Sequence, residues 1–162
     1  MEKYRKKELA FLIKFFLIYG LLQTIIYFAP LNFITESIAA FEAYLLGLES
    51  KGSKIIFDTM TFVINNSCTG LVSASVLAAI VFSLKKPGVK KKLIIFVPCA
   101  VLLFIVNLFR VYLVIITGIK FGSSAAEIMH VLSWFLMSGV IIALWYIATK
   151  KVLGSKSFSE LL

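Results

Sequence analysis

Four long apolar stretches separated by short polar ones dominate the chain, running from about Leu9 to Ala29, Cys68 to Leu84, Leu93 to Gly118 and His130 to Thr149. Each reads as a transmembrane helix, because lipid offers no hydrogen-bond partner to an open backbone and about 17–25 apolar residues cross its core. The second stretch is near the short end of that range. The segment 30–67, between the first two, has a different texture. Ile34, Ile38, Phe41, Leu45 and Leu48 recur at helical spacing, while Thr35, Glu42 and Glu49 repeat at seven on another face. That pattern predicts an amphipathic helix over 31–49, lying on the outer membrane surface. Glu36 and Glu42 argue against the alternative of a fifth, partly inserted span. Gly47, Ser50, Gly52 and Ser53 end the helix. Beyond them, Ile55-Ile56-Phe57 and Phe62-Val63-Ile64 flank Asp58-Thr59-Met60-Thr61, which predicts a small external β-hairpin over 53–64. The expected fold is an all-α integral membrane protein of about four transmembrane helices, with that surface helix and hairpin attached, forming a single membrane domain over 1–162.

Composition agrees: 60% of the 162 residues are apolar and only 15% charged, with a mean hydropathy of +0.99. No polar segment of independent domain size is left. The first span follows Lys3, Arg5, Lys6 and Lys7, as a signal peptide would, but it is too long for a typical signal core. It also ends in Phe28-Ala29-Pro30-Leu31 without a small-x-small cleavage site. A retained helix fits better.

The net charge of +9 is explained by where the basic residues fall. Four precede the first span, five fill the loop Lys85–Lys92, and Lys150, Lys151 and Lys156 follow the last span. The intervening segments hold only Lys51, Lys54 and Lys120. The positive-inside rule then places both termini and the Lys85–Lys92 loop in the cytoplasm, with 30–67 and 119–129 outside. Each cluster flanks a membrane span, so nucleic-acid binding is not needed to explain it.

Against this apolar background three reactive side chains stand out: Cys68, Arg110 and His130. Cys68 and His130 open spans two and four from the outside, and Arg110 lies 17 residues into span three, about 26 Å along a helix. With a hydrocarbon core about 30 Å thick, all three fall at the external interface. Cys68 sits in Asn65-Asn66-Ser67-Cys68-Thr69-Gly70, where Asn66 or Ser67 can cap the coming helix and leave the thiol in its first turn. A helix N-terminus favours the thiolate that a nucleophile needs. Cys99, by contrast, lies mid-span with no polar neighbour and reads as an inert membrane cysteine. The two thiols sit at different depths, which disfavours a disulfide, and their spacing suggests no metal site.

Asn107 and Arg110 share one helical face. A permanent cation inside a span marks a functional site, or else snorkels to headgroups or pairs with Glu127 or Asp58. His130 is the one histidine of the chain. Imidazole is the commonest general acid–base near neutral pH, and Glu127, three residues earlier, is placed to orient it. Taken singly, each residue also has a purely structural explanation. Their joint occurrence at one membrane face points to a cysteine nucleophile with activating partners.

Cys-Thr-Gly opening one helix (Cys68, Thr69, Gly70), Asn-x-x-Arg late in the next (Asn107, Arg110) and His130 at the start of the last resemble the exosortase/archaeosortase family, over roughly residues 53–149. The resemblance implies a membrane cysteine transpeptidase or protease with sortase-like chemistry and no cofactor. Its partners would be secreted surface proteins ending in a short motif, a transmembrane helix and a basic cluster. The thiol would cut near the motif at the external face and pass the product to a membrane lipid or another acceptor. The alternative is a non-catalytic small membrane transport or assembly subunit, in which Arg110 and Glu127 are structural.

Overall fold

The computed structural model describes residues 2–58, 60–154 and 161, with side chains from Lys6 onward. Among these residues five α-helices carry the fold: α1 (Glu2–Phe28), α2 (Asn32–Leu46), α3 (Leu71–Ser83), α4 (Val89–Phe121) and α5 (Ser123–Leu153). Between α2 and α3 lie three short strands, β1 (Glu49–Lys51), β2 (Lys54–Phe57) and β3 (Met60–Val63), then a 3₁₀ turn, Asn66–Thr69. α1 over Lys6–Phe28, α4 and α5 are long and apolar enough to cross a membrane. The apolar α3 is shorter, with 13 residues, or about 20 Å. Lys156, one of the basic residues that follow the last span, lies outside the described residues.

α3 sits between α1 and α4, and α4 packs along α5. Leu77, Val81, Ile95, Cys99, Leu103, Met137 and Ile141 form one buried cluster among α3, α4 and α5. Gln23 of α1 donates to Ser75 of α3 at 2.6 Å. Below α3, the Lys92 ammonium donates to the carbonyls of Phe82 and Leu84, satisfying acceptors at the helix's C-terminal end. At that same end Lys6, Lys7 and Lys14 of α1 and Ser83 and Lys85 line a shallow basic recess. Both cysteines are buried and free.

At the opposite end α2, the strands and the 3₁₀ turn form a cap. Its core joins Ile38, Ala39 and Ala43 of α2 to Ile55, Ile64, Cys68 and, from α4, Val111 and Ile115. The amphipathic helix forms, and Ile38 of its apolar stripe is buried, with Ile34 and Leu48 packed against the same core. Thr35 and Glu42, from the other face of the pattern, are also buried, together with Ala39 and Ala43, while Phe33, Phe41, Tyr44 and Leu45 are exposed. Small side chains let α2 approach the sheet and the 3₁₀ turn closely, and those four bulkier residues are left on the outside. Hydrophobicity alone does not reveal that choice.

The hairpin forms too, with one more strand than expected. β1, β2 and β3 make an antiparallel sheet in that order, with Lys51 opposite Lys54 and Phe57 opposite Met60 across two-residue turns. Gly52 and Asp58, at φ of 60° and 49°, supply the left-handed backbone such turns need.

Candidate active site

The chain leaves β3 through Ile64 and Asn65 and enters the 3₁₀ turn that carries Cys68. Asn65, and not Asn66 or Ser67, caps this turn: its side-chain oxygen accepts from Ser67 N at 3.0 Å. The Cys68 Sγ donates to the same oxygen at 3.5 Å. Asn66 instead reaches sideways to the Ile26 carbonyl at the end of α1 (3.0 Å), tying the turn to that helix. Gly70 then breaks the chain at φ 78° before α3 starts at Leu71. Cys68 therefore stands in its own turn ahead of α3, which corrects the expectation that it occupies the helix's first turn. The physical reason is Gly70. In the left-handed region, which only glycine visits freely, it separates the two elements. Its Cα also faces Asn107 so closely that a Cβ would lie 3.2 Å from the Asn107 Cβ.

Asn107 uses that closeness. Its amide donates to the Cys68 carbonyl at 2.6 Å, and its own oxygen accepts from Arg110 Nη1 at 3.4 Å. The remaining edges of the guanidinium are held by α5. Nε donates to Ser133 Oγ at 2.8 Å, and Ser133 in turn donates to the His130 carbonyl. Nη2 lies 3.5 and 3.4 Å from Nδ1 and Nε2 of His130, across the ring and not along either lone pair. The Arg110 Cζ stands 4.6 Å over the Trp134 ring, a cation–π contact. Trp134 Nε1 donates to His130 Nε2 at 3.1 Å, so in the neutral imidazole the proton sits on Nδ1.

Cys68, Asn107 and Arg110 are 7%, 2% and 4% exposed. No carboxylate faces this cation at ion-pair distance among the described residues, and Glu127 makes no hydrogen bond with His130. Glu127 does line the cleft, from an exposed position one turn before the histidine. The orienting role expected of it falls to Trp134 and Arg110. Ser133 and Trp134, three and four residues after His130, are the site residues that sequence reasoning missed; helical spacing from the histidine was the available signal. Thr69 turns its hydroxyl back to the Asn66 carbonyl (2.7 Å) and so stiffens the turn.

The cleft holds about 530 Å³. Its walls are the run Met60–Asn65, Cys68, Arg110 and the following turns of α4, and the start of α5 with His130. Phe62 leans over Gly118 of α4, where a Cβ would come within 2.7 Å of the aromatic ring. Thiol, guanidinium and imidazole, spread over 62 residues of the chain, thus share one concave surface.

An apolar bundle with a capped cleft at one end, lined by a cysteine, an arginine and a histidine, defines a transmembrane protein with a polar site at the edge of its membrane part. Comparison with protein families gives the class its name: the model of the transmembrane exosortases matches residues 4–147 of the 162. The chain belongs to that family, and the match takes in α1 and α2 as well as the motif-bearing part. No curated protein and no solved structure matches it.

Proposed function

We propose that the protein is a membrane cysteine transpeptidase that cleaves the C-terminal sorting signal of secreted surface proteins. The observation that carries this reading is the shared cleft of Cys68, Arg110 and His130, with Asn107 bridging the Cys68 backbone to the guanidinium. α3 with its preceding 3₁₀ turn completes four membrane crossings within one domain. The basic end of the bundle lies in the cytoplasm with both termini, and the cleft opens at the external face of the cell membrane.

In the proposed reaction the Cys68 sulfur attacks the scissile carbonyl, and its proton passes to Nε2 of His130, displacing the Trp134 N–H. The imidazolium then gives that proton to the leaving amine as the C–N bond breaks, leaving a thioester on Cys68. Arg110, held flat by Ser133 and Trp134, faces the charge that develops on sulfur and then on the carbonyl oxygen. In the second half an acceptor, a lipid amine or other nucleophile, attacks the thioester. Its proton returns through His130 to the sulfur. The chemistry needs no cofactor, and nucleic acid has no part in it.

The test is a tagged secreted protein ending in motif, apolar helix and basic cluster, followed in host membranes by its change in size. Cys68→Ala is expected to leave the precursor uncut while the variant accumulates normally in the membrane. Undiminished cleavage by that variant overturns the reading.

A further inference from the structure

The sheet has two open edges, and they are built differently. The β1 edge is Glu49-Ser50-Lys51, short and charged, the usual protection against unwanted pairing. The β3 edge is Met60-Thr61-Phe62-Val63, without a charge or a proline. It faces the cleft. All six residues from Met60 to Asn65 line that space, whereas a strand presenting only one face would contribute alternate residues.

The ladder fixes which backbone groups are unspent. Ile64 N donates to Ser53 O at 2.8 Å, so Ile64 points its backbone at β2. The same phase makes Phe62 and Met60 the residues bonded to Ile55 and Phe57 opposite them. Thr61 and Val63 therefore turn their N–H and C=O away from the sheet. These groups have no partner among the described residues, and both residues are exposed. Each non-proline residue brings one donor and one acceptor, so two residues leave two N–H and two C=O groups along the cleft. Five residues later the same chain reaches Cys68.

We infer that the edge of β3 is the substrate-binding strand: it takes up an extended peptide as a fourth strand through the backbone groups of Thr61 and Val63 and lays it past the Cys68 thiol. This rests on the peptidase reading of the cleft and names how that cleft recognises its substrate. The ligand class is an uncharged or weakly polar peptide in extended form, bound mainly by main-chain hydrogen bonds. Phe62 and the α4 wall of Val114 and Ile115 select its side chains.

The full-length Cys68→Ala protein in detergent micelles is the material for the test, so binding is read without turnover. The probe is a pool of capped nonapeptides randomised at every position, enriched by affinity selection and identified by mass spectrometry. Enriched peptides are then resynthesised with single backbone N-methyl groups. N-methylation is expected to weaken binding about tenfold or more at alternate residues and little at those between, because a strand spends every second N–H on its neighbour. Val63→Pro, which deletes an outward N–H at a position where an edge strand tolerates proline, is expected to abolish the enrichment. Ser50→Pro, on the far edge, is expected to preserve it. Even loss along the N-methyl scan, no loss, or no enrichment over Val63→Pro would each overturn the proposal. The scan is made on an unaltered β3, so a misfolded proline variant does not obscure the answer. Failure of the peptidase reading shows separately, in the processing assay.

Discussion

Arg110 is the most constrained side chain of the site, with separate partners for Nε, Nη1 and Nη2 and an aromatic face above it. A lysine in its place keeps the charge but reaches only one of those directions and loses the stacking. Arg110→Lys is expected to slow tail processing by roughly 10²-fold, the scale set by losing a preorganised donor. The fall should appear mainly in kcat in initial-rate measurements on membranes; a near-normal rate would reduce Arg110 to a bare positive charge. Glu42 poses the opposite problem, a carboxyl fully buried on α2 with no hydrogen-bond partner on either oxygen among the described residues. Burial pushes its pKa up from 4.5 to about 7. Below 4.5 the proton is bound in both the folded and the unfolded chain, and the group exerts no pH-dependent effect. As pH rises from 4.5 to 7 the unfolded chain ionises first, so the folded state loses ground. Above 7 that loss is complete, at about 3 kcal/mol. Glu42→Gln is expected to remove this slope and to raise the unfolding midpoint at pH 8. Thermal unfolding at pH 5 and pH 8 measures it, and equal slopes in both proteins would contradict the assignment.

At the scale of elements, the 3₁₀ turn and Gly70 decide whether the thiol meets its partners. Gly70→Ala places a Cβ in the left-handed region and against Asn107. The backbone cost alone is about 1–2 kcal/mol. Asn107, pushed from the Cys68 carbonyl, should lower processing further than the shift in Tm accounts for. A rate that falls only in step with stability would show that the Asn107 bridge is dispensable. Much at this scale was legible in the sequence. Hydropathy located α1, α4 and α5, and the order of Cys68, Asn107, Arg110 and His130 located the cleft, because cations and imidazoles inside apolar runs are conspicuous. Local backbone detail was not. Each helix bound differs from the apolar run it carries, since hydropathy marks lipid contact whereas helices α4 and α5 continue past it. Glu49-Ser50-Lys51 has no apolar alternation to signal a strand; it pairs because the Gly52 turn folds it onto β2. The burial of Thr35 and Glu42 on α2 was not legible, because close approach brings small and polar residues in beside Ile38. Ser133 and Trp134 went unseen because, in a membrane span, neither looks out of place until the position of Arg110 is known.

For the whole molecule, orientation is the first quantity to measure. Reporter fusions at Lys90 and after Leu153 are expected to read cytoplasmic, and one near Ser50 external. An external Lys90 would turn the cleft to the cytoplasm and remove the sorting function. With the proposed orientation, α4 acts as a gauge. Arg110 lies 17 residues beyond Leu93, the first after the basic loop, about 26 Å up the helix, and 11 further residues rise about 17 Å above it. The first distance falls just short of a hydrocarbon core of about 30 Å; the second carries the part of α4 that packs against α2. On that proposal Cys68, Arg110 and His130 are held at a fixed altitude, close to the lipid boundary and well below the top of the protein. A substrate whose own helix stays in the bilayer can present there only the residues at its point of emergence. On the proposed function, cleavage position would then be set by distance from the membrane as much as by side-chain identity, the bundle measuring the substrate before it cuts.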